Sequence, residues 1–286
     1  MEEKFRLVIP NKGVLYEPTL RLLESAGVSV GRNGNGGLFS KSKDGKLSIL
    51  FARAQDVPLY VETGAADAGI TGEDMVYEKG KRVKVVSNLG YGKCRVSIAV
   101  PKSSRITSVS QLAGKRIATK LPNIAREYFE KEGLKVELLE LAGATELAPN
   151  IGLADAIVDH VSTGATLEAN NLRELSTILE SEACLISRPE AAKKPELQEL
   201  QIAFEGVLRA KSSRYLMLNA ASDEILRNVL SCLPSMESPT VLKLARAGEY
   251  AVHSVVKAEE LGVLVPKLKR AGAKDILVLA MERVIL

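Results

Sequence analysis

The chain has 286 residues, and its 39 Lys and Arg against 35 Asp and Glu leave a formal net charge of +4. Hydrophobic residues make up 46% of it, which excludes a disordered or collagen-like chain and is enough for the cores of about two domains. The charges are spread out rather than grouped by sign. This argues against a nucleic-acid-binding arm or a basic membrane-binding patch, and it favours anionic small molecules as ligands.

Cys94, Cys184 and Cys232 lack the paired spacing of a zinc site or a disulfide framework, so we interpret them as free thiols of a reducing compartment. The chain starts without the apolar core of a signal peptide, and no apolar stretch approaches the roughly 20 residues that a membrane span needs. These features predict a soluble, cytoplasmic protein.

In the first two thirds of the chain, short apolar strands alternate with segments of helical spacing. Strands are predicted at 6–10, 47–53, 66–71, 83–89, 94–101, 116–119, 136–140 and 154–161. Helices are predicted at 15–26, after Asp56, at 74–79 and at 123–132, with short helical turns at 109–112 and 146–149. This alternation predicts parallel α/β sheets, with enough units for two of them.

The last third of the chain has a different pattern. Residues 186–199 read as one helix interrupted by Pro189 and Pro195, and the pattern changes around 209–214. Strands are then predicted at 215–219, 241–245, 249–256 and 275–281, with helices at 222–233 and 258–270. The order β-α-β-β-α-β within about 75 residues predicts a ferredoxin-like module, which is a common small regulatory domain.

The most informative segment is the end of the strand predicted at 154–161. The strand is followed by Ser162, Thr163, Gly164, Ala165 and Thr166, and a helix is predicted to begin near Leu167. Such a loop directs backbone N–H groups and the positive end of a helix dipole at one point, which predicts a phosphate site. Gly164 permits close approach of the backbone, and the three hydroxyls add donors.

Asp155 and Asp159 stand four residues apart on this strand, so both side chains are predicted to face the same side of the sheet. Carboxylates beside a phosphate loop suit ribose hydroxyls or a Mg²⁺ ion that a pyrophosphate carries. The alternative is a capped helix start with surface aspartates, and the segment alone does not decide between the two.

Together these motifs resemble the long form of the ATP phosphoribosyltransferases, the family of the first enzyme of histidine biosynthesis. The family signature is a Glu, five residues, a Gly, an Asp-bearing strand and Ser/Thr-Gly-x-Thr-Leu. It is matched without gaps by Glu146, Gly152, Ala154, Ile157, Asp159, Thr163, Gly164, Thr166 and Leu167. Further matches at 10–13, 53–58, 64–72, 89–95 and 236–240 extend the resemblance over nearly the whole chain. The one departure is His160, where the family usually has an aliphatic residue.

The resemblance implies an α/β fold with two lobes like those of periplasmic-binding proteins, followed by a ferredoxin-like regulatory domain. The chain would cross twice between the lobes. Residues 1–90 and 182–210 would form lobe one, 91–181 lobe two with the phosphate loop, and 211–286 the regulatory domain. The order of strands and helices predicted from the residue pattern agrees with this architecture.

The resemblance also implies the reaction. Phosphoribosyl pyrophosphate would give its phosphoribosyl group to N1 of ATP, with Mg²⁺ carried by the substrate rather than held in an all-protein site. Asp155 and Asp159 would be the catalytic residues, residues 162–167 would hold the 5′-phosphate, and Glu140 would be a further contact of phosphoribosyl pyrophosphate. Adenine is already a neutral nucleophile, so no activated Ser or Cys is needed, and the sequence offers no convincing Ser-His-Asp or Cys-His set.

For ATP, the implied contacts lie at or near the ends of predicted strands, where ligands bind in open α/β sheets. They are Lys12, Arg53, Gly72, Leu89 and Gly90. Other interpretations stay open: a solvated turn lysine for Lys12, an ion pair at a domain interface for Arg53, and a mobile hinge loop for the segment 89–92.

The resemblance further implies feedback inhibition by histidine. Met236, Ser238 and Thr240 would bind it, since backbone N–H groups and hydroxyls suit an amino-acid carboxylate or an imidazole, although Ser238 could equally belong to a simple turn. Relatives of the long form are dimers that assemble into hexamers, so a homo-oligomer is expected. His160 follows Asp159 and is predicted to point to the opposite face of the sheet, where a packed histidine is favoured over the alternative of a catalytic one.

Other functions remain open from the sequence. One is a phosphoribosyltransferase for another base. A second is a bilobal small-molecule-sensing protein, which would not need an aspartate pair against a phosphate loop. A third is a catalytically inactive regulatory subunit, against which the intact loop at 162–167 argues.

Overall fold

The computed structural model describes residues 4–31, 38–43, 45–80, 82–234 and 238–285. The chain forms two compact units, one of Met1–Glu24 with Val28–Glu199 and one of Ser25–Gly27 with Leu200–Leu286. Within the described ranges, no helix combines the length and the apolar character that crossing a membrane requires.

Strands and helices alternate over most of the chain. The strands are β1 (Phe5–Pro10), β2 (Phe39–Lys41), β3 (Leu47–Ala52), β4 (Ala68–Gly72), β5 (Lys84–Asn88), β6 (Cys94–Pro101), β7 (Arg116–Thr119), β8 (Glu137–Glu140), β9 (Ala156–Val161), β10 (Leu172–Ser181), β11 (Ala183–Ser187), β12 (Ser213–Ala220), β13 (Thr240–Lys243), β14 (Tyr250–Lys257) and β15 (Lys274–Leu279). The α-helices are α1 (Tyr16–Ser25), α2 (Val57–Glu62), α3 (Glu73–Lys79), α4 (Pro122–Lys131), α5 (Ala165–Ala169), α6 (Pro195–Ser212), α7 (Asp223–Cys232) and α8 (Leu261–Arg270).

The first sheet has six strands in the order β2-β3-β1-β4-β11-β5 and forms lobe one. β1 pairs in parallel with β3 and β4, whereas β11 runs antiparallel to both β4 and β5. β4 is buried along its whole length, as expected for a central strand with both faces covered. Val57 and Val61 of α2 pack on Val8 and Ile186 in one apolar cluster.

The second sheet has five strands in the order β10-β6-β9-β7-β8 and forms lobe two. β7 pairs in parallel with β8 and β9, and β6 pairs antiparallel with both β9 and β10. Ile98, Ile117 and Phe129 form part of its apolar core. The chain passes from lobe one to lobe two after β5 and returns after β10.

The second unit contains a four-stranded antiparallel sheet in the order β13-β14-β12-β15, with α7 and α8 in the order β-α-β-β-α-β. Ser222 caps α7 and accepts a hydrogen bond from the Ile225 backbone N–H at 3.2 Å. Leu216, Val252 and Leu268 belong to its apolar core. The predicted fold class, two α/β lobes plus a ferredoxin-like domain, is confirmed. The domain bounds drawn from the sequence stay a prediction.

The segment that joins the lobes differs from the expectation. Residues 183–187 form β11, a short 3-10 helix follows at Pro189–Lys193, and an α-helix runs from Pro195 to Ser212. The predicted helix at 186–199 is therefore wrong at its start, where the chain is still a strand, and at its end, which lies at Ser212 rather than at 199. Pro195 opens α6 because a first helical residue needs no N–H partner. The ten-residue strand β10 is absent from the prediction. Register shifts at 174–176 and 177–179 break its alternation and leave its leucines at helix-like spacing. Both lobes are therefore mixed sheets rather than purely parallel ones.

Candidate functional site

The loop after β9 lies at the carboxyl edge of the lobe-two sheet. Gly164 has a φ of +83°, and a Cβ built there would meet no heavy atom within 4 Å, so the space beside this glycine is open. Ser162, Thr163 and Thr166 are exposed, whereas Leu167 is buried in a core cluster and anchors the loop. The following helix α5 begins at Ala165 and has only five residues. The exposed hydroxyls and the open backbone, rather than a long helix dipole, are therefore what the loop offers to an anion.

Asp159 lies at the same edge and carries an ion pair that the sequence analysis does not predict. Its carboxylate is 2.7 Å from Nζ of Lys120, and its side chain is only 2% exposed. Burial alone would raise the pKa of Asp159, but hydrogen bonds from His160 and Lys120 outweigh it and lower the pKa. Oδ2 of Asp159 is buried and has no hydrogen-bond partner among the described residues. One acceptor of an ionised carboxylate is thus unpaired, although it is closed off from the protein surface.

Asp155 lies at the opposite end of the strand. It precedes β9, where its Oδ2 accepts a hydrogen bond from the Arg116 backbone N–H at 2.9 Å. Four residues of strand separate it from Asp159, which corresponds to about 13 Å. The spacing indicates a shared face, but it does not bring Asp155 to the loop. Its contact with Arg116 ties the starts of β7 and β9 together.

Glu140 is brought to the same edge as Lys120. It ends β8 and pairs in register with Thr119, the last residue of β7. Its side chain is exposed. Because β7, β8 and β9 are parallel, their carboxyl ends meet, and Glu140, Lys120 and the loop after Val161 border one surface.

Arg95 supports the phosphate loop from the neighbouring strand β6. Its Nη1 donates a hydrogen bond to the Ser162 carbonyl at 3.1 Å, while Nε and Nη2 bond both oxygens of Glu174 at 2.7 and 2.6 Å. This bidentate contact lowers the pKa of Glu174 to about 2. Arg95 is therefore held in place where the loop begins.

The residues predicted to contact ATP collect at the carboxyl edge of lobe one. Lys12 follows β1 and Arg53 follows β3, and both are exposed. Gly72 ends β4 and caps α3, where a Cβ would lie 2.2 Å from Oδ1 of Asp74. Leu89 is fully buried, and its backbone N–H donates to the Ala183 carbonyl at 2.8 Å. Gly90 has a φ of +69°, so the turn after β5 needs its glycine.

A cavity of about 510 Å³ opens where the chain crosses between the lobes. It is lined by Glu73, Asn88, Lys93, Cys94, Arg95, Ser162, Glu180, Ser181 and Glu182. The start of the phosphate loop thus shares a cavity with the end of β5 and the start of α3. Its volume is in the range of small-molecule sites. No group of three or more His, Cys, Asp or Glu residues suited to hold a metal ion occurs within the described part of the chain.

His160 does not behave as the packed histidine that the sequence predicts. Its Nε2 is 2.6 Å from Oδ2 of Asp74 on α3, and its Nδ1 is 3.6 Å from Oδ1 of Asp159. Burial would lower the pKa of His160, but hydrogen bonds with Asp159 and Asp74 raise it to about 9. Ser181 donates to the other oxygen of Asp74 at 2.6 Å. Because Asp74 stands between the serine and the histidine, this group cannot act as a Ser-His-Asp nucleophile set.

In the second unit, two of the residues predicted to bind histidine are described. Ser238 and Thr240 are exposed, and Thr240 begins the edge strand β13 opposite His253. His253 Nδ1 lies 2.6 Å from the hydroxyl of Tyr215. The third predicted residue, Met236, lies outside the described residues.

Comparisons with known proteins point to the same family over nearly the whole length of the chain. A family model described as ATP phosphoribosyltransferase matches residues 53–206, and one described as HisG, C-terminal domain, matches residues 210–283. The ATP phosphoribosyltransferase of Methanosarcina barkeri is 42% identical and covers 98% of this chain and 99% of its own. That of Cytophaga hutchinsonii is 41% identical and covers 100% of both chains. A solved ATP phosphoribosyl transferase (HisG:HisZ) complex from Thermotoga maritima is 32% identical, with a TM-score of 0.61, over 70% of this chain and 98% of that one.

Proposed function

The chain belongs to the ATP phosphoribosyltransferase family, and on that premise we propose how its residues divide the work of the reaction. The reaction is the first step of histidine biosynthesis, in which the phosphoribosyl group of phosphoribosyl pyrophosphate passes to N1 of ATP and pyrophosphate leaves. The two substrates are polyanions, so the protein must bind and align two sets of phosphates.

The 5′-phosphate of phosphoribosyl pyrophosphate binds the loop of residues 162–167. The observation that carries this assignment is the open space at Gly164, in a loop with three exposed hydroxyls and a buried anchor at Leu167. Backbone N–H groups can approach a phosphate closely where no Cβ intervenes. Arg95, which donates to the Ser162 carbonyl, fixes the start of this loop.

The ribose binds beside Asp159. The unpaired Oδ2 of this carboxylate is buried, so it accepts a ribose hydroxyl after the side chain turns outward, and the ammonium of Lys120 beside it is 38% exposed. Glu140 borders the same surface and can accept a second hydroxyl. Asp155 has no part in this assignment because its carboxylate is engaged at the other end of the strand.

ATP binds from the lobe-one edge. The exposed cations Lys12 and Arg53 contact its phosphates, and Gly72 and the turn at Leu89 and Gly90 border the adenine. In this arrangement N1 of adenine, which already has a free electron pair, attacks C1′ as pyrophosphate departs. Catalysis then consists of alignment and of stabilising the positive charge that develops on the sugar. Family members generally use a metal ion, and here Mg²⁺ enters as part of the pyrophosphate substrate.

Histidine inhibition is typical of the family, and we propose that this chain is inhibited through its second unit. The exposed hydroxyls of Ser238 and Thr240 stand at the edge of a sheet, where backbone groups are also accessible. We further propose that the enzyme is a homo-oligomer in the cytoplasm, and that histidine on the second unit acts on the distant site by shifting a two-state arrangement.

The loop assignment is tested with Gly164→Val and the matched control Gly114→Val. Both glycines have positive φ, +83° and +71°, and a Cβ at either meets no atom within 4 Å, so the two variants carry similar backbone strain. Gly114 lies before β7, at the amino edge of the sheet. We expect Gly164→Val to lose at least about 100-fold in kcat/KM for phosphoribosyl pyrophosphate and the control to stay near wild type. Equal kinetics in the two folded variants would reject the assignment.

A further inference from the structure

Helix α3 belongs to lobe one, but two of its carboxylates reach into lobe two. Asp74 and Glu78 are one helical turn apart and only 5% and 4% exposed. We call this pair the α3 clasp. Neither residue belongs to the family signature or to the predicted substrate contacts, so their burial between the lobes requires its own explanation.

The first half of the clasp is Asp74. Its Oδ1 accepts a hydrogen bond from Ser181 Oγ at 2.6 Å, and its Oδ2 lies 2.6 Å from Nε2 of His160. Ser181 ends β10, where the chain returns to lobe one, and His160 is on β9. The backbone leaves room for the carboxylate because Gly72 has no Cβ. Asp74 thus connects lobe one to two strands of lobe two.

The second half is Glu78. Its carboxylate accepts hydrogen bonds from the backbone N–H groups of Asn123 and Ile124, each at 3.1 Å, at the start of α4. The Asn123 side chain donates in return to the Glu78 carbonyl at 2.8 Å. The clasp therefore also holds the first turn of α4, which begins two residues after Lys120.

A continuous series of polar contacts leads from the clasp to the proposed ribose site. It starts at Asp74, passes through the imidazole of His160 to Asp159, and ends at Lys120. The His160 backbone N–H also donates to Asp159 Oδ1 at 2.6 Å. A change in the position of α3 therefore acts on the carboxylate of Asp159 through a single side chain.

We propose that His160 is a positioning residue that joins the two lobes through Asp74 and thereby sets the orientation of Asp159. The inference deepens the proposed function and rests on it. His160 does not touch the reacting atoms, since its two ring nitrogens face Asp74 and Asp159. Its effect is to make the distance between the lobes and the geometry of the ribose site change together.

The kinetic test uses the full chain with His160→Leu, His160→Gln, Asp74→Asn and the double variant His160→Leu/Asp74→Asn. We expect His160→Leu to lower kcat by about 10- to 100-fold while the KM values stay within about threefold. Glutamine should recover part of the loss because its amide can donate to Asp74. The double variant should be no slower than His160→Leu, since both changes remove the same connection.

The matched control is Asp67→Asn. Asp67 is also a buried carboxylate of lobe one, and it pairs with Arg188 at 3.0 Å and Lys194 at 2.8 Å without reaching lobe two. Its loss should lower stability and leave kcat near wild type. A kcat within about twofold of wild type in His160→Leu, or losses that multiply in the double variant, would overturn the proposal.

A second measurement does not depend on the reaction. The Asp74 backbone N–H donates to Ser181 Oγ at 3.0 Å, so its hydrogen exchange reports on the clasp in the absence of substrate. We expect faster exchange at Asp74 in His160→Leu than in wild type and in Asp67→Asn. Unchanged exchange would overturn the inference. A wild-type chain without activity would instead reject the proposed function, and the exchange result would still decide on the contact between the lobes.

Discussion

Replacing His160 with leucine should remove a part of the free energy of unfolding that depends on pH. The titratable groups that act on the imidazole are Asp159 on its own strand, Asp74 on α3 and Lys120 after β7. Burial and Lys120 disfavour the charged imidazole, but hydrogen bonds with the two carboxylates prevail and raise its pKa from 6.5 to about 9. One pKa unit corresponds to about 1.4 kcal/mol. The shift therefore corresponds to about 3 kcal/mol of stability.

Because folding raises the pKa of His160, the stabilisation that this residue contributes decreases as the pH rises. The contribution is fully present below the unfolded value of 6.5 and is lost as the pH rises through about 9. The free energy of unfolding can be measured for wild type and His160→Leu by urea titration followed by far-UV circular dichroism. The difference between the two proteins should be about 3 kcal/mol larger at about pH 6 than at about pH 10. Asp67→Asn is the control, because its depressed carboxylate pKa makes its effect constant over this range. If the difference in the free energy of unfolding between wild type and His160→Leu does not vary with pH, the imidazole of His160 is not charged in the folded protein.

Three further predictions follow from the proposed function. Excess chelator should abolish turnover and added Mg²⁺ should restore it, while full activity in chelator would contradict a metal carried by the substrate. Ser238→Ala with Thr240→Ala should lose histidine inhibition in a titration that leaves basal kcat unchanged, and unaltered inhibition would move the site elsewhere. Light scattering should find a dimer or a larger assembly, whereas a monomer at all concentrations, with histidine present, would contradict regulation through assembly.

The fold was largely predictable because many strands are short apolar runs, and some of them, such as β1, β4 and β6, end at a proline or a glycine. β6 and β7 begin and end at the residues that the pattern indicates. The sequence pattern does not indicate β10, for a physical reason. It is an antiparallel strand with one partner and two irregularities of register, so its side chains depart from strict alternation. No local signal distinguishes such a segment from an amphipathic helix.

The site was predictable only where it is local in sequence. The loop at 162–167 is a continuous segment, and the structure leaves its glycine open as expected. Alternation of side chains along a strand indicates which face a residue occupies but not which end of the strand a ligand approaches, so Asp155 was grouped with Asp159. Lys120 could have been found, since it is a cation directly after a predicted strand. The contact of Asp74 with His160 spans 86 positions and has no signature in one sequence.

The position of the proposed reaction centre follows from the two crossings between the lobes. β6 begins at the edge where β9 ends because it runs antiparallel to β9, and β10 ends at that edge because it in turn runs antiparallel to β6. Arg95 is at the start of β6 and Ser181 at the end of β10, where the chain enters and leaves lobe two. Both residues therefore lie near the phosphate loop as well as near the connections between the lobes. The connections between the lobes, which act as the hinge, lie next to the proposed substrate site. A substitution such as Ser181→Ala, which removes a hydrogen bond to Asp74, should therefore change substrate binding and turnover together. A change in stability without a change in either kinetic parameter would separate the hinge from the site.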